Sequence, residues 1–212
     1  MAIFNSVALG KSKGSIGGVT FTSWKGLNVA KQKATSVANP RSEGQTAQRS
    51  IFKTILDLFL GAASIANIGF RGLAVKMSAY NAFMSENLKN GSVVQSGSGP
   101  VVNPLKLIFS KGRIEDTSIN NAVDSSISNL VSVSWNTSPQ GNQRDSDKAK
   151  IILLNKATGL VRTYSPNTER SEGQVQAQYT EGEFSNANCF AYLFFENELT
   201  KDVSDSAVLA IS

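Results

Sequence analysis

The sequence predicts an α+β protein with an N-terminal β-hairpin arm, a helical hairpin and a C-terminal immunoglobulin-like β-sandwich. Three patterns in the 212-residue chain carry this prediction. Apolar residues alternate between residues 16 and 24, which indicates strands. Between residues 45 and 88 apolar residues recur at spacings of three and four, which indicates helices, and short β-type runs follow residue 104. We predict an arm over residues 1–38, a helical hairpin over 39–91, a linker over 92–104 and the sandwich over 105–212.

The arm is predicted from a short stretch of β-type alternation. Apolar side chains alternate from Ile16 to Trp24, and a turn at Lys25-Gly26 leads into a return strand. The Gly17-Gly18 pair interrupts the first strand. Glycine at such a position permits a β-bulge or a close approach by another backbone.

The helical hairpin is predicted to begin after the turn signal Asn39-Pro40, because proline pushes the preceding residue out of the helical region. Ser42 is the candidate N-cap, with Gln45 as its partner in a capping box. The apolar spacing predicts a helix of ~20–25 residues, a glycine-marked break, and a second helix that ends at "KNG". We favour neighbouring subunits as the cover for the apolar faces of the pair, with packing within this chain alone as the alternative.

The remaining residues read as a linker followed by strands. Residues 91–104 are rich in glycine, serine and proline, which is typical of a connector. Seven β-type runs then indicate a sandwich of the immunoglobulin or fibronectin kind. Trp135 is predicted in the core between its sheets. The runs cover residues 105–110, 130–135, 148–155, 160–165, 173–180, 189–196 and 206–212.

The composition argues against an enzyme. The chain has no histidine, which removes the commonest general base and the commonest transition-metal ligand. The single cysteine, Cys189, lies in the apolar run "NCFAYLFF" and is predicted to be a small core residue. We therefore expect no catalytic residue, no metal site and no cofactor.

Three weaker signals have a chemical interpretation. The segment "GKSKGSIGG" is glycine-rich but lacks the full pattern of a phosphate-binding loop. Asp145 and Asp147 alternate as in calcium loops, but the required glycine and glutamate are absent, so a solvated turn is favoured. The glutamates of "TEGEF" and "FENEL", which include Glu183 and Glu196, are interpreted as exposed turn acids rather than an acid/base pair.

Charge divides the chain into two parts of opposite sign. Residues 1–113 hold 14 lysines and arginines against three acids, a net charge of +11, whereas residues 114–212 hold seven against 13, a net charge of −6. This bias indicates a front half that faces a polyanion, or opposite halves that attract each other between copies; the alternative is that the charges only maintain solubility. The predicted contact residues are Lys11, Lys13, Lys25, Lys31, Lys33, Arg41 and Arg49. Phe21 and Trp24 are predicted to anchor the arm against a neighbour.

The front of the chain resembles an uncharacterised family found in Bacteroidota-type bacteria and their phages. The motif K-G-S-x-G-x-V-x-F falls on residues 13–21, a second element on 25–31, and N-P-R-x-x-x-Q-x-x-Q-R on 39–49. The closing "KDVSDSAVLAIS" is similar to the last strand of that family. The resemblance implies an architecture and an association with phage or prophage genes, and it implies no catalytic residue.

The expected function is that of a non-enzymatic phage virion protein, a capsid or other head component, that assembles from many copies. The first alternative is a cytoplasmic protein that binds nucleic acid without sequence specificity, and the second is an adhesive module. We expect synthesis in the host cytoplasm without a signal peptide, a mature location in the virion and no small-molecule substrate. No membrane span is expected, because no stretch approaches the roughly 18 apolar residues that one requires.

Overall fold

The structure is a computed structural model that describes residues 2–4, 12–24, 26–34, 36, 39–75, 77–116, 119–125, 129–184 and 188–212. The chain divides into two compact units, Met1–Ser42 and Glu43–Ser212. Two of the predicted contact residues, Lys11 and Lys25, lie outside the described residues.

The N-terminal unit contains a four-stranded antiparallel sheet with the strand order β1-β4-β3-β2. The predicted hairpin is present as β3 and β4, in which Phe21 lies opposite Ala30. The arm is therefore more than a hairpin, because a further strand flanks it on each side. The strands are β1 (Ala2–Ile3), β2 (Gly14–Ile16), β3 (Val19–Trp24) and β4 (Leu27–Gln32).

The Gly17-Gly18 pair forms a turn between β2 and β3, rather than the predicted bulge or close approach. Ile16 lies opposite Val19, so the two glycines form a two-residue hairpin loop. Gly17 has a φ of +54°, in the left-handed region that glycine enters without a steric cost. The loop length fixes which residues of β2 and β3 face each other.

Two helices open the C-terminal unit, α1 over Glu43–Gly69 and α2 over Ala79–Asn90. The second helix begins at Ala79, and not directly after the glycine-marked break, because Ser78 caps it. The Ser78 hydroxyl accepts a hydrogen bond from the backbone N–H of Asn81 at 3.1 Å. Gly91, with a φ of +63°, ends the helix at the "KNG" signal.

The segment predicted as a linker, residues 92–104, contains a β-hairpin instead. Its strands are β5 (Val93–Ser96) and β6 (Gly99–Val102), which are antiparallel. Val93 is buried in the same core as the helices. The glycine and serine of the intervening turn give this segment its linker-like composition.

Among the described residues that follow position 106, seven strands form two antiparallel sheets, β10-β9-β12-β13 and β11-β8-β7. Six of them match predicted runs. The run at 105–110 is not a strand, because it includes the 3₁₀ turn Pro104–Lys106, and the strand β7 was not predicted. The strands are β7 (Ile119–Ser125), β8 (Leu130–Trp135), β9 (Lys148–Asn155), β10 (Val161–Tyr164), β11 (Gln174–Gln178), β12 (Cys189–Glu196) and β13 (Ala207–Ala210).

The larger sheet is covered on both faces. On one face Ile152, Leu154, Tyr192 and Phe194 share a core with α1 and α2. On the other face Ile151, Leu153, Leu193 and Phe195 share a core with the smaller sheet and with Trp135. All eight residues of β9 are buried, which explains its nearly continuous apolar sequence. The same chain therefore covers the inner faces of the helices, so the favoured cover by neighbouring subunits is not required there.

The fold is thus mixed α and β, with two helices and antiparallel strands in several sheets among the described residues. Trp135 is buried between the two C-terminal sheets and Cys189 is buried in the same core, which confirms both predictions. The immunoglobulin-like part of the predicted fold class stays a prediction.

The helix α1 departs from the expectation that no segment approaches the composition of a membrane span. By length and composition α1 is apolar enough to cross a membrane. One third of its apolar 18-residue stretch is buried inside the protein. Core helices with a wide apolar face have the same composition, and the buried Ile55, Ala62 and Ile65 belong to the helix–sheet core.

Candidate functional site

The predicted cationic residues fall on both units of the chain. Lys13, Lys31 and Lys33 are exposed in the N-terminal unit, where Lys31 lies in β4. Arg41 is exposed at the end of that unit, and Arg49 is exposed on α1 in the C-terminal unit. The structure thus places three of the predicted lysines on or beside one small sheet.

The two predicted aromatic anchors lie in the same strand, β3. Phe21 is half-buried and packs edge-to-face against Phe4, with ring centroids 5.5 Å apart. The side chain of Trp24 lies outside what the structure describes. Phe21 therefore has a packing role within its own sheet, in addition to any contact with a neighbour.

The N-terminal sheet exposes apolar side chains near its edges. Ile16 in β2 is 71% exposed and Ile3 in β1 is 65% exposed, whereas the central Val29 is buried. Among the described strands β2 pairs only with β3, so its other side presents backbone donors and acceptors without a strand partner. An edge with exposed apolar groups is a site where another strand can add.

A second candidate site is a cleft in the C-terminal unit, with a volume of about 430 Å³. The residues that line it include four cationic ones, Arg71, Lys111, Arg113 and Lys201. They come from three segments: the 3₁₀ turn Arg71–Leu73 after α1, residues 111–113, and the loop at 200–203. We call this site the basic cleft.

Backbone contacts hold the three segments of the basic cleft together. The N–H of Lys111 donates to the Gly69 carbonyl at 3.1 Å, and the N–H of Arg113 donates to the Val203 carbonyl at 2.9 Å. A Cβ atom on Gly112 would lie 1.8 Å from the Val203 carbonyl oxygen. Only glycine therefore permits the approach of segments 111–113 and 200–203.

Two of the four cations make ion pairs with acids outside the lining. Arg71 Nη1 lies 3.1 Å from Glu196 Oε1, and Lys111 Nζ lies 2.7 Å from Glu86 Oε2. The hydrogen bond between Lys111 and Glu86 raises the pKa of Lys111 and lowers the pKa of Glu86. These two pairs fix the directions of the Arg71 and Lys111 side chains.

The other two cations, Arg113 and Lys201, are exposed and form no salt bridge with any residue that the structure describes. The acid in the lining is Asp202. A second acid, Asp205, lies close by and accepts a hydrogen bond from the Gly112 N–H at 2.8 Å. The lining itself thus holds four cations and one acid, and the nearby Glu86, Glu196 and Asp205 offset part of this positive charge.

A buried ion pair lies behind the cleft wall. Glu196, at the end of β12, contacts both Arg71 and Lys150, and the Lys150 Nζ–Glu196 Oε2 distance is 3.4 Å. Both side chains of the Lys150–Glu196 pair are only 7% exposed. Lys150 also donates to the Ser165 hydroxyl at 2.7 Å. Glu196 thereby connects the larger sheet to the turn that begins at Arg71.

The prediction that Asp147 and Glu196 are exposed turn acids is wrong, because both are buried. Asp147 accepts a hydrogen bond from Asn197 Nδ2 at 2.9 Å and lies 3.7 Å from Arg170 Nε. The Arg170 guanidinium in turn lies 3.8 Å from the centre of the Phe195 ring. These contacts give both acids structural roles. Within the described residues, no group of three or more Cys, Asp or Glu side chains is placed to hold a metal.

Sequence reasoning missed the basic cleft. It counted Arg71, Lys111, Arg113 and Lys201 only as part of the net charge. The sequence feature that could have pointed to these residues is a glycine beside cations in "FRGL" and "SKGR". This local pattern does not show that the two segments meet in the fold.

The structure and its surfaces define the chain as a mixed α/β protein with two exposed cationic regions, the N-terminal sheet and the basic cleft. By sequence it belongs to a family of unknown function, DUF6266, whose family model matches residues 10–210. A comparison with curated proteins finds no match.

Proposed function

We propose that this protein is a non-enzymatic structural protein that assembles with copies of itself through the N-terminal sheet. The observation that carries the proposal is the edge of that sheet, where β2 has one strand partner among the described strands and Ile16 is exposed. A strand from a second copy can pair with β2 and cover Ile16 in one step.

The size of the N-terminal sheet supports this proposal. Its four strands have between two and six residues each. Sheets this small have little apolar area of their own and gain stability from a further strand or a packed neighbour. A second copy would supply such a neighbour and would bury Ile3 or Ile16, which are exposed in the single chain.

We propose that this assembly is part of a phage particle, in which the protein is a capsid or other head component. The resemblance of residues 13–49 to a family associated with bacteria and their phages supports this setting. The opposite charges of residues 1–113 and 114–212 support it as well, because repeated copies can then attract one another or face a genome.

We also propose that the two C-terminal sheets form an immunoglobulin-like sandwich. Numbered from β7, the first, second and fifth strands make one sheet, and the third, sixth and seventh lie in the other. This division matches an immunoglobulin constant domain, except that the fourth strand, β10, joins the other sheet. The outer face of the larger sheet is covered by α1 and α2.

The test of assembly is light scattering with size-exclusion chromatography on nuclease-treated protein. We expect the intact chain to elute as a multimer and I16K to elute as a smaller species, because a lysine on an edge strand opposes pairing. L199K is the matched control, since Leu199 is 91% exposed in the other unit. An intact chain that is monomeric at high concentration, or I16K with unchanged mass, would contradict the proposal.

The second candidate function is binding to nucleic acid without sequence specificity. It is favoured by the exposed Lys13, Lys31 and Lys33 on or beside one small sheet. Affinity that depends on phosphate contacts falls steeply as salt rises. Binding of a DNA duplex at 50 mM salt that disappears in the triple K13A/K31A/K33A variant would support this function, and the absence of binding at low salt would exclude it.

A further inference from the structure

We propose that the basic cleft of the C-terminal unit binds a phosphate group. The cleft has a volume of about 430 Å³, which lies within the range of ~300–1,000 Å³ that is typical of small-ligand pockets. This site is distinct from the N-terminal sheet, and the inference does not depend on the assembly proposed above.

The choice of ligand follows from the donors in the wall. Arg71 uses Nη1 for Glu196, and Arg113 forms no salt bridge with a described residue, so guanidinium N–H groups are available to an anion. Guanidinium groups bind phosphate oxygens in pairs of parallel hydrogen bonds, and lysine ammonium groups add point charges. Arg113 and Lys201, which form no salt bridge with a described residue, and the remaining N–H groups of Arg71 suit an anion with several acceptor oxygens.

The loop that carries Lys201 is held in place before any ligand binds. Lys201 has a φ of +63°, a left-handed conformation that is sterically unfavourable for a residue other than glycine. Its N–H donates to the Asn197 carbonyl at 2.8 Å. The Asn197 side-chain oxygen accepts hydrogen bonds from the N–H groups of Leu199 and Thr200 at 3.1 and 3.0 Å. A cation held in an unfavourable backbone conformation by several contacts is typical of a functional position.

The adjoining segment 111–113 is equally constrained. Gly112 has no room for a side chain against Val203, and the N–H groups of Arg113 and Ile114 both donate to the Val203 carbonyl, at 2.9 and 3.0 Å. A site whose backbone is already fixed loses less entropy when the ligand binds. Glu196 orients Arg71 and Glu86 orients Lys111, so two of the four cationic side chains are held by contacts that are already present.

The lining limits what the site can recognise. Its ten residues include the aliphatic Leu73 and Val203 but no aromatic side chain, so the described wall offers no surface on which a base can stack. The cleft is therefore suited to the phosphate rather than to a base. That phosphate can come from a small phosphorylated molecule or from the backbone of a nucleic acid.

Binding experiments on the full-length, nuclease-treated protein separate these sources. We would titrate inorganic pyrophosphate by calorimetry and a labelled 20-nucleotide single strand by fluorescence anisotropy, at constant ionic strength. The variants are R113A, K201A and the double R113A/K201A, with K156A as the control because Lys156 is exposed in a turn away from the lining.

We expect binding of at least one probe, a loss of about tenfold for each single variant and no change for K156A. The melting temperature without ligand should stay unchanged in R113A, since its side chain is exposed. Pyrophosphate binding alone would assign a small ligand, and binding of the single strand alone would assign a nucleic-acid backbone.

Two results would overturn the inference. One is that neither probe binds, or that R113A/K201A binds as tightly as the intact protein. The other is that polyglutamate displaces the bound probe at a similar charge concentration, because the cleft would then serve an acidic protein segment rather than a phosphate.

Discussion

Gly112 and Val203 approach so closely that a Cβ atom at position 112 would lie 1.8 Å from the Val203 carbonyl oxygen. The same carbonyl accepts hydrogen bonds from the N–H groups of Arg113 and Ile114. This contact joins two segments that are far apart in sequence and forms one wall of the basic cleft. The position of the cleft thus depends on the absence of a side chain at one residue.

The first prediction is that G112A destabilises the protein by about 1–3 kcal/mol, because a methyl group must displace backbone atoms. The measurement is urea unfolding followed by circular dichroism. G72A is the matched control, since Gly72 lines the same cleft but has open space around its Cβ position. Equal unfolding midpoints for G112A and the intact protein would show that the segments separate without a cost.

The second prediction concerns the Lys150–Glu196 pair behind the cleft. E196Q should lower the free energy of unfolding by about 3–5 kcal/mol, because it leaves the buried Lys150 ammonium without its counter-charge. The double variant K150M/E196L removes both charges and should recover much of this loss. E198Q is the control, since Glu198 is exposed. A double variant less stable than E196Q would contradict the explanation.

Much of the C-terminal fold can be read from hydrophobic patterning. The strand β9 was found from its apolar run, and the structure explains that run by burial on both faces. The strand β7 was missed because its sequence "INNAVDS" is mostly polar, and it lies at an edge of the smaller sheet. Hydrophobic patterning thus finds strands whose side chains are buried. It misses a mostly polar edge strand such as β7, which forms because it pairs with β8.

The candidate site could not be predicted in the same way. Asp147 and Glu196 look like turn acids in the sequence, and their burial depends on Arg170 and Lys150, which lie elsewhere in the chain. The basic cleft likewise requires segments 71–73, 111–113 and 200–203 to meet. Contacts of this kind follow from the tertiary fold, which a single sequence does not give.

The third prediction is a pH dependence that involves Glu86. Hydrogen bonds from Lys111 and Lys89 hold the pKa of Glu86 below its ordinary value of 4.5. Because the folded state binds this proton less tightly than the unfolded chain, the interaction stabilises the fold above pH 4.5 and is lost as the pH falls through the lowered pKa. The pKa of Lys111 is raised, so its pH dependence runs in the opposite direction. Its contribution to stability is complete below pH 10.5 and is lost as the pH rises through the raised pKa.

E86Q should therefore have a lower melting temperature than the intact protein at pH 7, and the difference should shrink as the pH falls below 4.5. Melting curves between pH 3 and pH 7 measure this difference. E198Q serves as the control, because Glu198 is exposed and forms no salt bridge among the described residues. A difference that is constant with pH would mean that Glu86 acts through packing rather than charge.

The fourth prediction separates the two units of the chain. Removal of residues 1–38 should leave a folded protein, because both C-terminal cores consist of residues from Glu43–Ser212. The truncated chain should keep a cooperative melting transition and should elute as a smaller species than the intact assembly, because it lacks the edge strand β2. Light scattering gives the mass, and near-ultraviolet circular dichroism of Trp135, which packs edge-to-face on Phe195, reports the core. A truncated chain that assembles to the same mass would locate the assembly surface in the C-terminal unit and contradict the role of the N-terminal sheet.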